Sequence, residues 1–518
     1  MDIIDCLLNE FEKNDINLIF MNPGTTEILF LKRLVKFNIK IILCLQENIM
    51  TGASDGYGRL KEKPSLNLLH LGTGFSNGLS NLHNANKSYT PIINIVGNIP
   101  TTLLKYNSIV NLDIDNLVKI VSKKYFHPKN SLEFLNNSND LLSMYNYNIS
   151  GCENINTLIL PFNLCNQSIK TEFKFNYKEN KEEIKFNRDE IISYFIKYKK
   201  KAILIGGLIG TEEVLKLLEY FKDNEVDIYV ESKFGKLDRS YLYTEIIRLP
   251  YFPEKQIEVL SKYDFIFIIG TNEPVSQFGL KGETNLIPSN IKKIVVKQNK
   301  ETIKTLLNDL ILILKYNKKG ITKYIEKPKI NLEEKLNIDN MTKVICNFQP
   351  KDSIFIDEAV SSSKSYWDNS SKLEKFTHLT LTGGALGSGM PMSIGASLAC
   401  PDRQVINLQS DGSSLFCLQS LWTQRKNNLN IITIICNNGE YNVLKREYKR
   451  IYSEEDKNIN KLCFELNDPK INYSDISKGY GVLSKRVFTI KEFIDTFKKA
   501  LNNNSPFLIE VMLSNDFK

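Results

Sequence analysis

Asp411 and Asn438 are the pair of residues whose types and spacing most narrow the chemistry of this chain. Asp411 sits in Gln409-Ser410-Asp411-Gly412-Ser413-Ser414, just after a stretch that reads as a β-strand, and Asn438 ends Ile431-Ile432-Thr433-Ile434-Ile435-Cys436-Asn437-Asn438, the next strand. A carboxylate and an amide oxygen at the carboxyl ends of neighbouring parallel strands form a site for a hard cation such as Mg2+, which binds few protein oxygens and completes its shell with phosphates and water. Gly412, Ser413 and Ser414 are small enough for backbone N–H groups and hydroxyls to approach a diphosphate at a helix N-terminus, where the dipole favours negative charge. His70, one of four histidines (70, 83, 127 and 378), closes another strand beside Gly72-Thr73-Gly74 and is a candidate acid or base.

These residues need a scaffold of alternating strands and helices. Apolar residues recur at helical spacing from Ile3 to Asn14, and Leu18-Ile19-Phe20 reads as a buried strand ending in the turn Asn22-Pro23-Gly24. Lys40 to Leu45, a helix from Glu47 to Arg59, Ser65 to His70, a Gly-rich helix start at Gly72 to Gly78, and Pro91 to Val96 continue the alternation. The pattern predicts an α/β protein with parallel sheets. Lys- and Glu-rich stretches at Lys170 to Asp189 and Lys315 to Lys335 read as linkers and divide the chain into three units, 1–170, 185–320 and 335–518, each expected to be a doubly wound parallel-sheet domain. The middle unit opens on Ile205-Gly206-Gly207-Leu208-Ile209-Gly210, whose glycine spacing is wrong for a dinucleotide fingerprint and is read as a structural turn.

Composition agrees with an ordinary globular protein. The 518 residues are 42% hydrophobic and 24% charged, enough for several cores without metals or disulfides. A net charge of +8 arises from 67 basic and 59 acidic residues that are interleaved, which argues against a nucleic-acid surface. Nine cysteines, odd in number and never spaced as Cys-x-x-Cys, are expected to be reduced. The start, Met1-Asp2-Ile3-Ile4-Asp5, lacks the features of a signal peptide, and no apolar run is long enough for a membrane span, so a cytoplasmic enzyme is expected.

The Asp411 to Asn438 segment resembles the thiamine diphosphate signature, with Ser410 where that signature has its first glycine. Leu45-Gln46-Glu47-Asn48, Ala53-Ser54-Asp55-Gly56-Tyr57-Gly58-Arg59, Asn22-Pro23-Gly24-Thr25, Asn67-Leu68-Leu69-His70-Leu71-Gly72-Thr73-Gly74 and Thr382-Gly383-Gly384-Ala385-Leu386-Gly387-Ser388-Gly389-Met390-Pro391 extend the likeness over essentially the whole chain. It is similar to the three-domain thiamine diphosphate enzymes that include benzoylformate decarboxylase, pyruvate decarboxylase and the acetolactate synthase large subunit. The resemblance implies a pyrimidine-binding first domain, a degenerate central domain and a diphosphate-binding third domain. It implies Glu47 as the cofactor-activating carboxylate, Leu386 as the prop that bends the cofactor, and Gly384 as the backbone acceptor for its 4′-amino group. Mg2+ would be held by the Asp411 carboxylate, the Asn438 side-chain oxygen and the Glu440 backbone carbonyl, with Gly412, Ser413 and Ser414 around the diphosphate. His70 would transfer protons, and Thr25 would touch substrate.

The implied reaction is attack on a 2-oxo acid, loss of CO2 to give an enamine, and either release of an aldehyde or ligation to a second carbonyl. A homodimer or homotetramer with each site shared between subunits is also implied. Three departures bear on specificity. The stretch Asn272-Glu273-Pro274-Val275-Ser276-Gln277-Phe278-Gly279 lacks the decarboxylase's second histidine; Glu447 stands where the synthases carry a substrate-selecting tryptophan; and Ile268-Ile269-Gly270-Thr271-Asn272-Glu273 lacks the arginine that accompanies FAD in them. FAD is therefore not expected. Two other readings remain: a thiamine diphosphate-binding subunit without catalysis, and a flavin-dependent oxidoreductase.

Overall fold

The computed structural model describes residues 2–142, 154–169, 186–243, 245–282, 284–320 and 324–513. Its strands fall into three sheets. The first holds β1 (Leu18–Met21), β2 (Lys40–Leu43), β3 (Ser65–His70), β4 (Ile92–Asn98), β5 (Lys124–Phe126) and β6 (Ile155–Pro161) in the order β2-β1-β3-β4-β6-β5, all parallel. The second is built from β7 (Lys201–Ile205), β8 (Val226–Val230), β10 (Ile247–Arg248), β11 (Phe265–Ile269) and β12 (Lys292–Val296), ordered β10-β8-β7-β11-β12. The third contains β9 (Leu237–Arg239), β13 (Ile354–Glu358), β14 (Phe376–Thr380), β15 (Val405–Ser410), β16 (Ile431–Asn437), β17 (Leu483–Val487) and β18 (Phe507–Met512), ordered β17-β18-β16-β15-β13-β14-β9.

The interior strands are buried on both faces because helices cover both sides of each sheet. β16, for example, is buried along its whole length. One strand crosses from the middle unit into the third sheet. β9 is drawn from the middle stretch of sequence yet pairs antiparallel with β14, Leu237 lying opposite His378, so the third sheet is not purely parallel and the middle unit is bound to it. A three-residue strand carries no usable periodicity, which is why the sequence gives no sign of it. The first linker stretch, Lys170 to Asp189, lies mostly outside the described residues.

Two helices join the first and third units almost backbone to backbone. The Glu47–Lys61 helix crosses the Gly389–Ala399 helix so closely that a Cβ on Gly395 would sit 1.8 Å from the Ala53 carbonyl oxygen, and one on Gly56 2.1 Å from that of Met392. Arg59, wholly buried, ties all three units together. It forms a two-pronged ion pair with Asp55 and donates to the carbonyls of Gly235 (3.1 Å) and Thr380 (2.7 Å). An apolar core runs continuously through both end units. Eight of the cysteines are free, most of them buried. Among the described residues no helix is long and apolar enough to cross a membrane.

Candidate functional site

In an open α/β sheet, ligands settle where the strand order reverses, beyond the carboxyl ends of the strands. In the first sheet that point lies between β1 and β3, which end at Met21 and His70. In the third sheet it lies between β13 and β15, which end at Glu358 and Ser410. Glu47 and His70 lie at the first of these places, and Asp411 and Asn438 at the second.

Glu47 opens its helix behind Gln46, whose side chain caps the turn by accepting from the Asn48 N–H. Only 8% of Glu47 is exposed. Its two oxygens accept from the amides of Asn22 (3.1 Å) and Asn77 (3.3 Å), and among the described residues no cation pairs with it. A carboxylate withdrawn from water and met only by neutral donors retains acceptor strength for a ligand.

His70 stands just before the helix Leu71–Lys87 without a side-chain bond to its first turn, and Leu71 immediately after it adopts φ +55°, a costly conformation for a non-glycine residue. Nδ1 lies 2.9 Å from Glu27 Oε2 and 3.1 Å from the Thr26 hydroxyl. Glu27 is 1% exposed; it accepts from the Gly24 N–H at 2.7 Å and occupies space that a Cβ on Gly97 would fill, 1.8 Å from its Oε1. With Nδ1 directed at a carboxylate, the imidazole keeps its proton there and leaves Nε2 to face a ligand. Thr25 is exposed and makes no side-chain hydrogen bond among the described residues; its neighbour Thr26 makes the contact with His70. The other histidines have structural surroundings. His83 contacts the Gly383 carbonyl, His127 pairs with Asp115, and His378 is enclosed by Phe234, Phe355, Tyr366, Trp367 and Phe376, where burial lowers its pKa to about 4.

At the third sheet, Asp411 is 3% exposed. It accepts from the backbone N–H groups of Gly412 (2.8 Å), Asn438 (3.1 Å) and Gly439 (2.8 Å), and burial raises its pKa to about 6. The Asn438 side-chain oxygen is adjacent, accepting from the Glu440 N–H at 3.1 Å, while the Glu440 carboxylate pairs with Lys445. Gly412 is required where it stands, since a Cβ would lie 2.4 Å from the Tyr441 ring. One buried carboxylate, which no cation meets among the described residues, and an amide oxygen beside it offer oxygen donors, which suit Mg2+ better than a softer metal. The Ser413 hydroxyl bonds inward to Gln409 (2.6 Å) and Ser410 (2.7 Å), and that of Ser414 donates to the Asp411 carbonyl (2.6 Å), so both hydroxyls are engaged within the protein.

The loop bearing Gly384 and Leu386 is held from two sides. The Leu71–Lys87 helix grips it through Asn84, which donates to the Ala385 carbonyl (2.8 Å) and accepts from its N–H (3.2 Å), and through Asn81, which donates to the Gly387 carbonyl (3.1 Å). From below, Glu358 accepts from the N–H groups of Gly387 (2.6 Å), Ser388 (2.9 Å) and Gly389 (2.5 Å) and from Gln409 (3.0 Å). Burial raises the Glu358 pKa to about 7 against those donors. Leu386 is half-buried at the loop tip. Glu27 and Glu358 escape a reading of the sequence because their partners are 43 and about 30 residues away; an acidic residue at the end of an apolar strand, as in Ile356-Asp357-Glu358, is the only available signal.

Within one chain, no hydrogen bond or ion pair joins the Glu47 group to the Asp411 group among the described residues.

Comparison with known proteins agrees with this geometry. Residues 1–120 match the N-terminal TPP binding domain of thiamine pyrophosphate enzymes, and residues 362–511 match the C-terminal TPP binding domain. A putative acetolactate synthase large subunit IlvX from Mycobacterium tuberculosis is 28% identical over 99% of both chains. A benzoylformate decarboxylase from Pseudomonas aeruginosa is 22% identical over 96% of each. The structure of a thiamine diphosphate-dependent 4-hydroxybenzoylformate decarboxylase from Rhodococcus jostii superposes over 100% of both chains with a TM-score of 0.85 at 20% identity.

Proposed function

This chain belongs to the thiamine pyrophosphate enzymes, and we propose that it is a Mg2+-dependent decarboxylase of 2-oxo acids whose product is released as an aldehyde or joined to a second carbonyl. The observation that carries the reading is Glu47, a carboxylate 8% exposed whose side-chain partners among the described residues are two amides. Bound thiamine diphosphate supplies nucleophilic addition to a 2-oxo group and an electron sink for loss of CO2. The protein's part is to hold, activate and exchange protons.

Glu47 is the group to hold a proton at the pyrimidine nitrogen, because burial strengthens its hydrogen bond to a ring N–H. The Gly384 carbonyl and the Leu386 side chain are presented by a loop fixed by Asn81, Asn84 and Glu358, so their positions are set before ligand arrives. Asp411, Asn438 and the Glu440 carbonyl are the Mg2+ ligands in this reading, and a divalent charge offsets the burial of Asp411. His70 gives or takes a proton at Nε2 while Glu27, against Nδ1, stabilises the imidazolium.

A shared site between two subunits is supported by an apolar rim beside His70. Ile109 is fully exposed, and Leu103, Tyr106, Val110 and Leu112 are also open to solvent, Leu112 lying against Gly72. An apolar patch of that kind marks a protein interface. The central unit does not favour FAD: the Glu231 carboxylate accepts from the Gly207 N–H (2.8 Å) and the Thr271 hydroxyl (2.8 Å), filling the turn where a cofactor phosphate would need to sit.

The test is CO2 release from a panel of 2-oxo acids with and without thiamine diphosphate and Mg2+, with products identified by mass. Release that requires both additions is expected. Cofactor binding without CO2 from any substrate would overturn the decarboxylase reading.

A further inference from the structure

The central unit reaches the Gly384 loop with a cation that has no counter-ion among the described residues. Gly384 has φ +80°, and a Cβ built on it would lie 3.5 Å from Gln277 Nε2 and 3.6 Å from Lys233 Nζ. Lys233 follows the carboxyl end of β8 and Gln277 lies in the loop after β11, so both leave the middle sheet at its ligand-binding edge. Lys233 is half-buried, and among the described residues it makes no hydrogen bond or ion pair. Its charged neighbour is another cation, Arg248, whose Nε donates to the Ser232 carbonyl (2.8 Å) and whose guanidinium stands 3.9 Å from the Asp357 carboxylate. Burial first, and Arg248 second, lower the Lys233 pKa to about 8.

Withdrawing an ammonium from water next to a like charge is unfavourable unless an anion joins it. We propose that Lys233, assisted by Gln277, binds a second anionic group on the substrate, so that the preferred 2-oxo acid is a dicarboxylic one.

The carboxylate that leaves as CO2 is the wrong partner for this lysine. Its charge disappears during the reaction, so an ion pair to it would be stronger in the ground state than in the transition state and would slow the step. A carboxylate at the far end of the substrate keeps its charge throughout, and Lys233 can hold it in both states. The exposed side chains of Val275 (62%) and Phe278 (61%), which flank Gln277, provide apolar surface for the methylenes between the two ends.

The inference rests on the decarboxylase reading, but it can be tested apart from it. Glutarate, which has two carboxylates and no 2-oxo group, serves as an inert probe titrated calorimetrically into protein loaded with thiamine diphosphate and Mg2+. Wild type is expected to bind glutarate more tightly than butyrate. Lys233→Met should weaken glutarate binding about 10- to 100-fold, the range of one charge-assisted hydrogen bond, while Lys233→Arg retains most of it. Gln277→Glu, an exposed change that supplies Lys233 with an internal counter-ion, should weaken glutarate in the same direction. In turnover, the ratio of kcat/KM for 2-oxoglutarate to that for 2-oxobutyrate should fall by a similar factor in Lys233→Met.

Equal glutarate affinity in wild type and Lys233→Met would overturn the proposal, as would loss of thiamine diphosphate binding in that variant. Lys233-dependent glutarate binding without CO2 release from any 2-oxo acid would uphold the anion site and reject the decarboxylase reading. CO2 release with an unchanged substrate ratio in Lys233→Met would do the reverse.

Discussion

Replacing Glu358 by Gln should change the pH dependence of stability in a direction the structure fixes. Glu358 is 2% exposed, and four N–H donors converge on its carboxylate. Burial outweighs them and raises its pKa from an ordinary 4.5 to about 7. The native state therefore binds a proton that the unfolded chain has released between those two values, and stability contributed by this group is present in full below about pH 4.5 and declines as pH rises to 7. At about 1.4 kcal/mol per pH unit the loss amounts to about 3 kcal/mol. Gln has the shape of the protonated acid but offers one acceptor in place of two, so the variant should carry a constant offset, the same at pH 5 as at pH 8, of about 1 to 3 kcal/mol for one unsatisfied backbone N–H. Relative to that offset the variant should have gained about 3 kcal/mol over wild type by pH 8. The assay is the difference in thermal midpoint between cofactor-free wild type and Glu358→Gln at pH 5, 6, 7 and 8, a comparison in which other titrating groups cancel. The gap should move in the variant's favour by about 3 °C across the series. Midpoints that stay parallel from pH 5 to 8 would refute the description of Glu358 as a buried acid poised near neutrality.

Three further outcomes are expected. Glu27→Gln should lower kcat by about 10-fold or more and alter the pH profile of kcat/KM, because His70 loses the carboxylate that orients it; an unchanged profile would separate Glu27 from the chemistry. Asp411→Asn should abolish the gain in thermal midpoint given by Mg2+ with thiamine diphosphate, which for wild type at a hundred times the dissociation constant is worth about 2.7 kcal/mol, and chelation should remove wild-type activity until Mg2+ is restored. Gly395→Ala should destabilise the chain by about 3 kcal/mol or more through overpacking, since its Cβ would be driven to 1.8 Å from the Ala53 oxygen; an unchanged midpoint would mean that the two helices are not in the contact described.

The sequence made some of this legible. β16 is announced by a nearly continuous apolar run and β15 by Val405, Ile406 and Leu408, each strand is followed by a polar residue, and the 27-position separation of Asp411 and Asn438 leaves room for a helical crossover between neighbouring parallel strands. Glu47 could be identified because it belongs to a run of matching residues along one helix. Glu27, Glu358 and Lys233 could not, because nothing local marks them: Glu27 is defined by His70, Glu358 by three amides on another element, and Lys233 by its approach to Gly384 from a different sheet. Thr25 and Thr26 differ by one position in a turn, and only the turn's geometry decides which of them meets His70. β9 was hidden for a related reason, since three residues pairing across a unit boundary form an edge that only tertiary packing creates.

The central claim is that Glu47 activates bound thiamine diphosphate, and it can be tested without knowing the substrate. The measurement is the rate at which the cofactor's C2 proton exchanges for deuterium on the Mg2+-loaded protein, followed by NMR after quenching, in wild type and in Glu47→Gln. The account predicts exchange in wild type faster than in free cofactor by several orders of magnitude, and its loss in Glu47→Gln despite retained cofactor. Equal exchange rates in the two proteins, with cofactor bound in both, would contradict it.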